Sequence, residues 1–193
     1  MLLVACAGPP VTVDHPLVTV RAPEGRDAAF VSWVVHRHGP SIAAILDVEQ
    51  TSLEVEVVRG RCLSHSSRMY GGYLSDGTII VSEGALEDYG HKVAHEIVHA
   101  YLDGVAWHEN LPVYLQEGVA EFASLYATGE YGLHKRFLDD MTLDPEDPYV
   151  LGFRAVDRVG LKALIELAKQ GPVEDADLQS LPTAEYHEHL LPD

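Results

Sequence analysis

The segment His95-Glu96-Ile97-Val98-His99 sets two imidazoles four residues apart with a carboxylate directly after the first. On an α-helix this spacing brings both rings to one face, about 6 Å apart along the axis, and both reach a single zinc ion at about 2.0 to 2.1 Å. Glu96 lies about 100° further round, beside such an ion rather than on it, and can take a proton from an attacking water. Composition tempers the motif: with 11 histidines in 193 residues, about one random shuffle in twenty contains H-E-x-x-H. Eighteen residues after His99 comes Glu117, with Glu121 a further turn on, so both carboxylates share one face of a second helix. Asp103 stands four residues after His99 but at the expected helix end before Gly104, and His108 sits in an expected loop without a motif around it.

Metzincins continue with Gly three residues and His or Asp six residues after the second histidine, where this chain has Leu102 and Val105. The residues instead resemble the gluzincin metallopeptidases, the group of thermolysin and the aminopeptidase-N-like enzymes. Their pattern is H-E-x-x-H followed, about 18 or more residues on, by an N-E-G-x-A-like or N-E-A-x-x-D-like helix. Gln116-Glu117-Gly118-Val119-Ala120 matches the first form with Gln for Asn, and Glu121 falls where thermolysin-like enzymes carry an acidic residue behind a ligand. The likeness runs from about Tyr70 to Leu167, with firm motifs between His95 and Glu121.

The resemblance implies Zn2+ held by His95, His99 and Glu117, with Glu121 orienting a ligating histidine through its other ring nitrogen. It implies Glu96 as general base, and Tyr149-Val150-Leu151-Gly152 looks like the Y-x-x-G segment whose tyrosine hydroxyl meets the developing oxyanion. The gap from Glu117 to Tyr149 is much shorter than in the aminopeptidase-like enzymes. The activity implied is hydrolysis of peptide bonds in a peptide or protein substrate. Lack of a G-x-M-E-N-like segment favours an endopeptidase. The strand before the zinc helix, about Thr78 to Ser82, would align a substrate backbone by strand addition. The competing expectation is a non-catalytic zinc- or peptide-binding envelope lipoprotein module that keeps the peptidase fold; the presence of Glu96 argues for catalysis. His91, His134, His187 and His189 read as incidental.

These groups need a scaffold, and the chain is long enough for one well-cored domain: 47% of residues are apolar and 22% charged. The expected layout is an export- or lipobox-like segment over residues 1–10, a single domain over 11–172 and an acidic tail over 173–193. Alternation predicts strands from about Leu17 to Ala22 and over "SLEVEVVRG", then a hairpin turning at Asp76-Gly77. Helical spacing after Asp27 predicts a helix kinked or broken at Gly39-Pro40. Further helices are expected at about Gly90 to Leu102, Leu111 to Ala127, Pro148 to Val159 and Leu161 to Gln170. Strands first and helices after predict an α+β fold, a small mostly antiparallel sheet packed on the zinc-binding helix with a helical C-terminal half, rather than a βαβ repeat.

A formal charge of −17 opposes phosphate backbones, so nucleic acid is not an expected partner. No run approaches the roughly 18 apolar residues of a membrane span. Leu3-Val4-Ala5-Cys6 resembles a bacterial lipobox, which would make Cys6 a lipid anchor and slightly favours an extracytoplasmic location. The basic and most of the apolar regions of an export signal are missing before it, so either a leader starts upstream or the likeness is accidental. Cys62 is the only other cysteine, leaving a Cys6 to Cys62 disulfide open in an oxidising compartment.

Overall fold

Alternating β-branched residues build the floor of the molecule. A computed structural model describes residues 10–58, 71–73, 78–82, 90–130, 140 and 143–184. Strands β1 (Val11–His15), β2 (Val18–Ala22), β3 (Leu53–Val58), β4 (Gly71–Tyr73) and β5 (Thr78–Ser82) form one sheet in the order β1-β2-β3-β5-β4. Val18 and Val20 of β2, Val55 and Val57 of β3, and Ile79 and Val81 of β5 are buried, whereas Arg21 and Glu54 are exposed. One face of the sheet therefore carries the core, as period-two patterning requires.

Helices α1 (Gly25–Leu46), α2 (His91–Leu102), α3 (Ala106–Glu109), α4 (Val113–Thr128), α5 (Pro148–Val159), α6 (Leu161–Ala168) and α7 (Asp175–Ser180) complete the described elements. The fold is α+β, as the order of elements predicts. The sheet, however, is mixed rather than mostly antiparallel: β1 with β2 and β4 with β5 run antiparallel, while β2 with β3 and β3 with β5 run parallel. For β2 and β3 the cause is α1, which carries the chain back between them and so returns it in the same direction, making one βαβ crossover.

Three local expectations also change. Helix α1 runs unbroken through Pro40, whose ring faces solvent while Val34, Val35, Ile42 and Leu46 bury on either side of it. That apolar face outweighs the one backbone hydrogen bond that proline removes. Gly39 serves close packing instead, since a Cβ there would lie 2.8 Å from the Tyr101 hydroxyl. Strand β1 was hidden in the sequence because its residues are largely exposed at a sheet edge and Pro16 follows at once. Strand β5 is not an edge: β3 flanks it on one side and β4 on the other, so among the described strands the edge nearest α2 is β4.

The start of the expected acidic tail is docked. Val173 and Leu178 are buried, the Val173 N–H donates to Asn110 O at 2.9 Å, and the Tyr114 hydroxyl donates to Asp175 Oδ1 at 2.5 Å. Cys6, Cys62, the Asp76-Gly77 turn, His134, His187 and His189 lie outside the described residues, as do residues 1–9 and 185–193.

The candidate metal centre

Helix α2 can carry reactive groups because its ends and flanks are tightly held. Gly90 caps it at φ +90°, a conformation that favours glycine, and a Cβ there would lie 2.7 Å from Val34 Cγ2. Val93, Ile97, Val98 and Leu102 are buried in the core, fixing the rotation of the helix so that His95 and His99 face α4. The chain leaves α2 at Gly104, passes through α3, and enters α4 just after Pro112. Gln116, which stands where the related motif has Asn, donates from Nε2 to Leu111 O at 2.8 Å and so ties the turn to the helix carrying Glu117.

The donor atoms converge. Glu117 Oε2 lies 3.2 Å from His95 Nε2 and 3.4 Å from His99 Nε2, and the two imidazole nitrogens are 3.2 Å apart. One ligand atom from each residue falls within 4.8 Å of the others, a spacing that could hold a metal ion. Two imidazole nitrogens, once deprotonated, and one carboxylate oxygen are a donor set of the kind that zinc accepts. Asp103, the other acidic candidate, is an exposed residue at the C-cap of α2 and is not part of this group.

Behind the donors, Glu121 is buried and its Oε2 receives the Nδ1–H of His95 at 3.0 Å, which leaves His95 Nε2 directed toward Glu117 and His99. Burial opposes the charge on Glu121, but contacts with His91 and His95 overcome it and bring its pKa down to about 2. Glu117 is likewise held below the usual carboxylate range: burial raises it, and hydrogen bonds with His95 and His99 win. Burial would lower His95, yet Glu117 and Glu121 push it up to about 10 before an ion is bound. Glu96 is buried and pushed upward, chiefly by desolvation, with His95 and His99 pulling the other way and Glu117 adding to the rise.

Tyr149 reaches the same place from α5. Its backbone N–H is capped by Asp147 Oδ1 at 3.0 Å, with Pro148 opening the helix, and its ring centroid is 5.6 Å from that of His95. Helix α5 comes this close because Gly118 and Gly152 meet: a Cβ on Gly152 would lie 1.8 Å from Tyr114 O, and one on Gly118 would lie 2.2 Å from the Gly152 carbonyl carbon. Burial and the carboxylates of Glu117, Glu96 and Glu121 push the hydroxyl of Tyr149 well above its ordinary range, so it keeps its proton.

Two residues without a sequence signal join the site. His91, which read as incidental, is buried with Nε2 3.2 Å from Glu121 Oε1. The only clue was its position four residues before His95, which extends the histidine stripe to His91, His95 and His99. His108, expected in a loop, lies in α3, is buried, and sets its ring centroid 6.5 Å from that of His99. Burial and the neighbouring His99 lower its pKa to about 4, so it is a neutral imidazole at physiological pH. No family model matches the chain, and no curated protein matches it either.

Proposed function

We propose that this chain is a zinc-dependent metallopeptidase of gluzincin type. The observation that carries the reading is the convergence of His95, His99 and Glu117 on one point, with Glu96 on the same helix and Tyr149 beside His95. Zinc held by those three residues would polarise a carbonyl and acidify a water. Glu96, with its raised proton affinity, takes the proton of the attacking water and returns it to the leaving amine. Tyr149 donates its retained proton in a hydrogen bond to the oxygen on which charge develops. Glu121 keeps His95 in one tautomer, so the donor atom facing the ion does not change during the cycle. A substrate backbone would lie along the outer edge of β4, the edge strand nearest α2, an arrangement that suits an extended internal segment and hence an endopeptidase.

The deciding experiment pairs elemental analysis with hydrolysis of a mixed peptide library for the wild type, Glu96→Gln and Glu117→Ala. The expected result is one zinc per wild-type chain, weakened zinc in Glu117→Ala, and a zinc-loaded Glu96→Gln protein slowed by about 10²- to 10⁴-fold. Zinc-loaded wild type that cleaves nothing in the library, alongside an equally silent Glu96→Gln, points instead to a zinc-binding module without hydrolysis.

A further inference from the structure

His91 opens α2 one turn ahead of His95, and the hydrolytic scheme gives it no task. Its Nε2 lies 3.2 Å from Glu121 Oε1, within ion-pair reach but too bent for a hydrogen bond, and has no hydrogen-bond partner among the described residues. The second oxygen of the same carboxylate, Oε2, receives the Nδ1–H of His95 at 3.0 Å. Glu121 thus lies between two imidazoles from successive turns of one helix, hydrogen-bonded to one and 3.2 Å from the other, and all three side chains are buried.

A buried carboxylate with one donor is free to turn about its last side-chain bond, and each turn moves the acceptor that fixes its partner. A second imidazole packed 3.2 Å from the other oxygen restricts that turn by its position and polarity. We infer that His91 is a positioning residue of the metal centre: by holding Glu121 it sets the tautomer and ring plane of His95, and so raises affinity for zinc without touching the ion. The inference rests on the metal-binding half of the reading above and does not require hydrolysis.

The test is the dissociation constant for Zn2+, measured by competition with a chromophoric chelator. Wild type, His91→Leu, His91→Gln, Glu121→Gln and the His91→Leu/Glu121→Gln double variant are compared, with circular dichroism to verify folding. Loss of the donor in His91→Leu should weaken zinc about 10- to 100-fold. Gln at position 91 retains an N–H at similar reach and should recover affinity to within about threefold of wild type. In the Glu121→Gln background the Leu substitution should add less than about twofold, because its effect passes through the carboxylate. If Leu at 91 does not fold, His91→Asn, polar but a bond shorter, takes its place with the same expected weakening. A folded His91→Leu or His91→Asn with wild-type affinity overturns the inference, as does a loss equally large with and without Glu121, and in both cases the zinc site itself stands. Wild type that takes up no zinc overturns the site and the inference together.

Discussion

His95 is held at three points, by Glu117 on one ring nitrogen, Glu121 on the other and the helix beneath it. Those carboxylates raise its proton affinity in metal-stripped protein to about 10 from an ordinary 6.5. The sign follows directly: a raised histidine contributes stability in full below about 6.5 and loses it as pH climbs through about 10. Glu121, depressed from 4.5 to about 2, contributes above 4.5 and loses its share as pH falls toward 2. Stripped protein should therefore gain most from this network between about pH 4.5 and 6.5. Because an ion must displace the proton on His95, zinc uptake at pH 7.5 should release about one proton. Calorimetry in two buffers of different ionisation enthalpy measures that number, and zero release would show that His95 is already neutral. At this scale the pairs His95/His99 and Glu117/Glu121 were legible because helical spacing is local information, whereas their meeting across two helices was implied by the family resemblance and not by spacing. His91 and His108 were not, since what gives them meaning is a partner brought up by packing: for His91 a carboxylate thirty positions away.

Helix α4 supplies Glu117 and Glu121, and its neighbour α5 supplies Tyr149, so their mutual approach decides whether the hydroxyl stands near His95. The approach depends on two hydrogens in place of two methyl groups, at Gly118 and Gly152. Gly152→Ala should force α5 outward, cost about 1–3 kcal/mol of stability, and lower kcat while leaving zinc stoichiometry near one. Chemical denaturation, elemental analysis and peptide turnover separate the three effects; unchanged turnover would mean that Tyr149 does not act from this position. Helices α4 and α5 and the Asp147 cap could be read in advance from periodicity and capping chemistry. Strand direction could not, because whether β2 and β3 run parallel depends on how α1 returns across the sheet, and no residue in either strand encodes that. The edge position of β4 was hidden for the same reason: Gly71 and Gly72 carry no hydrophobic pattern, and pairing alone gives the strand its place.

Across the whole molecule the acidic end of the chain is part of the body as far as residue 184. Asn110, between α3 and α4, accepts from the Val173 N–H and donates to Ala168 O, so the corner that leads into Glu117's helix is also the anchor of the C-terminal segment. Ending the chain at Pro172 removes the buried side chains of Val173 and Leu178 and should cost about 3 kcal/mol. For a chain of this size that corresponds to a fall in Tm of roughly 6–12 °C; an unchanged melting curve would show that residues 173–184 are loosely attached. The three donors and the carboxylate behind them all lie between His95 and Glu121, whereas Tyr149 comes 28 residues later. During synthesis at about 5–20 residues per second, the ligand set leaves the ribosome about 1–6 seconds ahead of the tyrosine. In a nascent chain the proposed ligand set is thus complete before the proposed oxyanion donor has been made.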